Sequence, residues 1–297
     1  MNRSRVRRTA LLALAPVLAV TVAACGQDSK PSDEMSGMDH GATNTDHSMH
    51  GDMSETEGNA HSGLAAEVDG YTLRLAENEV PGGKPGSIAF TVSQPGGDPL
   101  TEYELDQTVK LHFYVVRSDL SEFQHIHPTL SDDGTWNAKH TALSPGKWRA
   151  YSAFVPGVGS QKGSDLVLSK TFGVAGTYDA VPLPEAAKTA TADEYTVSVS
   201  GEPQSGEATT LTIELEQDGK PVTNLEPYLA AYAHVTAVHE GDMAFAHLHP
   251  MGEANASSGG PQLTFHANFS SAGNWRLFIQ FQTDGELHMV PITVAVS

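Results

Sequence analysis

Two stretches of the 297-residue chain space histidines as a metal site would need them. In the first, His112 is followed by the strand-like run that ends His125-Ile126-His127-Pro128; in the second, His234 is followed at the same intervals by His247-Leu248-His249-Pro250. Residues two apart in a strand share a face about 7 Å from one another, so His125 pairs with His127 and His247 with His249. A hairpin turn at residues 118–121 pairs positions whose numbers sum to 239, which sets His112 opposite His127. In the second stretch the sum is 483, and His234 stands opposite His249. Opposed side chains in an antiparallel pair lie about 5 Å apart. Each copy therefore gathers three imidazoles, a donor set that suits copper or zinc with one position left open. Ile126 and Leu248 are expected on the other face, as strand anchors. The plain alternative is that these histidines are structural, hydrogen-bonded to backbone.

The second copy holds more nearby donors: His239, Met243, Met251, His266 and the pair His288-Met289 on the expected last strand. It is the favoured binder, with His288 and Met289 as further candidate ligands. A third donor set precedes both copies. Met35, Met38, Met49 and Met53 are interleaved with His40, His47, His50 and His61 in MSGMDHG and DHSMHGDM. Residues 26–63 contain no Val, Ile, Leu, Phe, Tyr or Trp, too little apolar surface to offset the entropy of ordering. A disordered tether is expected, and its thioethers with imidazoles form a donor set that suits Cu(I). The segment resembles the Met/His-rich stretches of bacterial copper-handling proteins outside the cytoplasm. An acidic linker carrying chance His and Met is the plainer reading.

Arg3, Arg5, Arg7 and Arg8 precede an apolar run over residues 10–24 that is too short for a comfortable membrane span. The run ends Val22-Ala23-Ala24-Cys25-Gly26, which resembles the bacterial lipobox. That resemblance implies a signal peptide over 1–24, an acylated Cys25 as mature N-terminus, and anchoring at the extracytoplasmic face of the cell membrane. Arg7-Arg8 also resembles the core of a twin-arginine export signal. Cys25 is the only cysteine, so no disulfide can form within the chain. The formal charge is −19, and loss of four arginines with the signal would take it to 13 − 36 = −23. Such a surface attracts cations and disfavours nucleic acid as a partner.

The two histidine stretches belong to an internal duplication. Asp98-Pro99-Leu100-Thr101 corresponds to Lys220-Pro221-Val222-Thr223, and Gly146-Lys147-Trp148-Arg149 to Gly273-Asn274-Trp275-Arg276. The predicted organisation is a tether over 25–63, a first repeat over 64–175, a linker over 176–191 and a second repeat over 192–297. Short alternating runs at 71–75, 87–92, 110–116, 123–127, 147–154 and 169–174, punctuated by Gly, Pro, Asn and Asp, predict strands. The fold class is all-β: two tandem immunoglobulin-like sandwiches after a disordered tail, with Trp148 and Trp275 as core residues.

The segments Phe245 to Pro250 and Phe123 to Pro128, with the Gly-x-Trp-Arg strand, look like a group of lipoproteins and secreted proteins of high-GC Gram-positive bacteria. The resemblance implies an extracytoplasmic place and a link to copper or other heavy metals. Copper buffering, resistance or delivery is the function expected. An envelope protein-interaction or adhesion module is the alternative, and a metal-dependent enzyme ranks third. The chain has no H-E-x-x-H, no Gly-x-Ser-x-Gly elbow and no phosphate loop, the motifs that would mark common hydrolytic or phosphoryl-transfer sites.

Overall fold

The computed structural model describes residues 62–252, 254 and 259–297, and every regular element in them is a strand. The expectations placed on Cys25 and on Met35, Met38, His40, His47, Met49, His50 and Met53 lie outside the described residues.

The first repeat is a sandwich of two five-stranded sheets. One runs, in spatial order, Glu67–Val68, Tyr71–Leu75, Gly86–Ser93, Thr135–His140 and Thr129–Leu130. The other runs Glu79–Val80, Leu166–Val174, Gly146–Phe154, Leu111–Arg117 and Phe123–Ile126. Phe90, Phe113, Trp136 and Trp148 fill the space between them. Phe90 stacks on Phe113 with ring centroids 4.4 Å apart.

The second repeat follows the same plan, but its sheets join along one edge, where Phe245–Pro250 pairs with Gln262–Asn268 and sets His249 opposite His266. Phe265, Phe269, Trp275 and Phe281 form its core. Trp148 and Trp275 are both core residues, and each indole N–H donates to a backbone carbonyl, that of Ser144 or Ser271. Thr189–Ala192, which begins inside the predicted linker and ends on the first residue of the predicted second repeat, pairs with Tyr195–Ser200 as the repeat's first strand. Its Thr-Ala alternation is too weakly apolar to read as a strand, and the neighbouring ladder supplies what the side chains do not.

The hairpin registers are those predicted from the histidine spacing. Tyr114 lies opposite His125 and Phe113 opposite Ile126; in the second repeat Thr236 lies opposite His247 and Val235 opposite Leu248. Ile126 and Leu248 do turn into their own cores.

A strand covered on one face should alternate buried and exposed residues. Leu111–Arg117 is buried at every position, and Ala233–His239 at all but the last. The reason is a third apolar cluster between the repeats, where Tyr114, Val116, Phe123 and Tyr151 meet Val238, Met243, Phe245 and Phe278. Equivalent residues swap partners across it. Phe123 stacks on Phe278 at 4.3 Å, and Phe245 stacks on Tyr151 at 4.7 Å. Burying each such ring contributes about 1.5–3 kcal/mol, with roughly 0.5–1.5 kcal/mol more for each aromatic pair. The repeats are thus fused through their outer faces by a pseudo-two-fold packing.

Candidate metal centre

The face fused in this way is the one that carries the histidines. Spacing alone predicts a separate three-histidine site in each repeat; the structure brings both sets to one place. The ring centroid of His112 lies 6.3 Å from that of His247, and His125 lies 5.9 Å from His234, contacts related by the same pseudo-two-fold.

Within this centre the tightest group is His112, His125 and His127, whose ligand atoms all lie within 4.8 Å of one another. His112 Nδ1 is 2.9 Å from His125 Nε2, which is 3.2 Å from His127 Nε2. The first repeat, not the second, therefore holds the preorganised triad. Strand pairing explains the difference. His234 sits opposite Gln280, whereas His112 sits opposite Ala153. Gln280 Oε1 reaches across the interface to His125 Nδ1 at 3.0 Å. The pseudo-symmetric position facing His247 is Ala153, which has no polar side-chain atom to offer.

Partners fix which ring nitrogens carry protons, because a backbone carbonyl only accepts. His112 Nε2–H therefore donates to the Asp106 carbonyl at 3.3 Å, and His234 Nε2–H donates to the Tyr228 carbonyl at 2.8 Å. Each Nδ1 is left with its lone pair; that of His234 is buried with no hydrogen-bond partner among the described residues. His125 Nδ1–H donates to Gln280, leaving Nε2 as the lone-pair atom. Two lone pairs then face one another at 2.9 Å between His112 and His125. A cation bound beside both would turn that repulsion into coordination, and the carbonyls and the Gln280 amide would then be the outer groups that orient the imidazoles.

Burial keeps the rings neutral. Desolvation lowers the pKa of His112 and of His127 to about 4, with the neighbouring histidines adding to it. It holds His125 well below the usual imidazole range, lowers His234, and takes His247 to about 3. Neutral imidazole is the form that binds metal. Tyr114 stacks on His125 at 4.4 Å, and Tyr228 flanks His127 and His234 at 6.2 and 5.5 Å.

The carbonyls that orient His112 and His234 come from matching turns. Gln107 and Thr108 have φ of 44° and 74°, and Leu229 and Ala230 have φ of 49° and 62°. These are left-handed values at residues that are not glycine. Each such residue costs on the order of 1 kcal/mol or more. The same strain recurs at the same place in both repeats, directly after the carbonyl that holds the histidine.

Other candidates fall elsewhere. His288 bonds to Thr283 Oγ1 at 3.0 Å and packs on Tyr195, so it takes no part in the centre, while Met289 packs into the inter-repeat cluster. His239 bonds to Asp242 at 2.7 Å, Met243 is buried in the interface, and Met251 is exposed. Asp106, Tyr114, Tyr228 and Gln280 escape sequence reasoning because nothing in their spacing points to the histidines. The one readable signal is that Asp106 and Tyr228 each stand six residues before a matched histidine.

The profile of a family described as Domain of unknown function (DUF8832) matches residues 66–178 and again 190–297. No curated protein matches the sequence. Solved structures that match part of the chain include the Escherichia coli adhesin FdeC, at 16% identity over 78% of this chain and 66% of that one, with a TM-score of 0.25. Yersinia pseudotuberculosis InvD matches at 15% identity over 78% and 59%, TM-score 0.25. Invasin, described as a bacterial integrin-binding protein, matches at 13% over 76% and 39%, TM-score 0.23. The chain spans less than two thirds of each of these proteins.

Proposed function

The chain belongs to this family, with two copies of its domain in tandem, and we propose that it is a lipid-anchored, extracytoplasmic metal-binding protein that buffers or passes on copper. The observation that carries the reading is the meeting of His112 Nδ1, His125 Nε2 and His127 Nε2, with outer hydrogen bonds from His112 and His125 that leave the lone pairs of those two rings facing one another. An all-imidazole set accepts copper or zinc. Copper is favoured because a singly charged Cu(I) costs least to desolvate among aromatic rings, and because the Met/His segment before the repeats offers ligands of the same preference. Cys25, acylated, would hold the chain at the membrane where incoming metal is met.

The other reading is an envelope protein-interaction or adhesion module with structural histidines; FdeC is described as an adhesin and invasin as integrin-binding. This reading requires the Gln280 amide to be reversed, so that His125 Nε2–H donates to His112 in an ordinary hydrogen bond. Titration of the full chain in detergent with Cu(I), Cu(II) and Zn(II) separates the two. A His125→Ala/His127→Ala variant with an unchanged circular dichroism spectrum is expected to bind one ion fewer per chain. Equal stoichiometry and affinity in the variant would contradict the metal reading and leave the interaction module.

A further inference from the structure

Arg117 ends the strand that carries His112, and its guanidinium uses all five of its N–H donors. Nε and Nη2 donate to the Pro145 carbonyl at 3.2 and 2.8 Å, and Nη1 donates to Asp119 Oδ2 and Ser121 Oγ at 3.0 and 3.2 Å. The fifth donor leaves the first sandwich: Nη2 reaches the Asp179 carbonyl at 3.2 Å, in the segment between the repeats. The Tyr178 ring lies over the same guanidinium, its centroid 4.8 Å from Cζ. Val181 N–H donates to Asp119 Oδ2 at 2.9 Å. The Arg117–Asp119 ion pair is almost covered, with side-chain exposures of 6% and 7%. Gly146, which opens the first Gly-x-Trp-Arg strand, makes room for this contact, since a Cβ there would stand 2.5 Å from the Tyr178 ring. The matching residue of the second repeat, His239, bonds to Asp242 and to the Ala272 carbonyl, both within its own repeat. What Arg117 adds is a hold on the connecting segment.

Beyond Val181 that segment crosses to the second repeat. Leu183 packs against the apolar cluster between the repeats, at a notch where the hairpin turns at 118–120 and 240–241 come together. Ala187 N–H then donates to the Thr293 carbonyl, on the last strand, at 2.9 Å. From Val174, the end of one sandwich, to Thr189, where the next begins, the chain runs 189 − 174 = 15 residues. Anchored at Val181 and Ala187, it leaves 187 − 181 = 6 residues between its two holds. The effective concentration of one tethered module at another falls roughly as the −3/2 power of tether length, so the anchors raise it about fourfold. We infer that residues 178–187 are a strap, buckled to the first repeat by Arg117 and Asp119, that keeps the two histidine-bearing faces closed on one another. Its consequence for metal rests on the reading of His112, His125 and His127 as a metal site. Gln280 reaches His125 only while the repeats are closed, so the strap sets how long a bound ion is retained.

The test uses the full chain in detergent and two variants. Arg117→Met removes every donor at the buckle. Tyr178→Ser/Val181→Pro changes only exposed residues of the strap, taking away the ring over Arg117 and the N–H that Asp119 accepts, and it carries the test if Arg117→Met fails to fold. Met243 is 8% exposed inside the interface and Met251 is 58% exposed outside it, and sulfoxide formation follows exposure. In the metal-free chain treated with peroxide, both variants are expected to oxidise Met243 about fourfold faster than the parent, or more, with Met251 unchanged. Equal Met243 rates in the parent and the strap variant overturn the strap. The second readout is the rate at which copper passes from the loaded chain to a chelator, expected to rise by a similar factor. Faster Met243 oxidation with unaltered copper release overturns the role in retention and leaves the strap. His125→Ala reports on the premise: if it holds copper as the parent does, the triad reading falls, while the oxidation rates still decide on the strap.

Discussion

His125 is held from both repeats at once, and its ring shows how little separates a metal ligand from a packing residue. Its Nε2 faces His112 and His127, while its Nδ1 bonds to Gln280 of the other repeat. Outer hydrogen bonds of this kind set the tautomer and orientation of an imidazole, and their loss typically weakens metal binding about 10–100-fold. Gln280→Leu keeps the volume and removes the acceptor. It is expected to lower affinity at the triad by roughly that factor while the circular dichroism spectrum stays unchanged. Unaltered affinity in a competition titration would mean that Gln280 does not orient the ligand.

The turns before Leu111–Arg117 and Ala233–His239 make a similar point for elements. Thr108 sits at φ 74°. Glycine is at ease there and a β-branched threonine is not. Thr108→Gly is therefore expected to stabilise the protein by about 1 kcal/mol, read from the midpoint of urea unfolding; a lowered midpoint would show that the turn carries no strain. Neither turn is legible in the sequence, because Gln107-Thr108 and Leu229-Ala230 lack the Asn or Gly that normally marks such a turn. The hairpins were legible, because period-two alternation and matched His-x-His-Pro ends determine register by arithmetic. What could not be read was where the outer faces go. Tyr114, Val116 and Phe123 look like ordinary strand residues, and only the packing against Phe245 and Phe278 turns two three-histidine sets into one centre.

For the whole molecule, the fused interface ties stability to the protonation of its histidines. In the unfolded chain these rings titrate near about 6.5. Burial holds His112 and His127 at about 4 and His247 at about 3 in the fold. Below about pH 6.5 the unfolded state binds more protons, so acid favours unfolding. The stability of the metal-free protein is expected to be level above about pH 7 and to fall between about pH 6.5 and 4; a flat profile across that window would contradict the buried neutral rings. The fold gathers His112, His125, His127, His234 and His247 at this interface, while Met35, Met38, Met49 and Met53 lie ahead of it in the sequence. X-ray absorption on the full chain loaded with one equivalent of copper addresses this division directly. A first shell of nitrogen only, with the multiple scattering of several imidazoles, is the expected result, since the preorganised triad should fill first. A sulfur-dominated shell, or a shell without imidazole, would contradict the assignment of His112, His125 and His127 as the primary metal site.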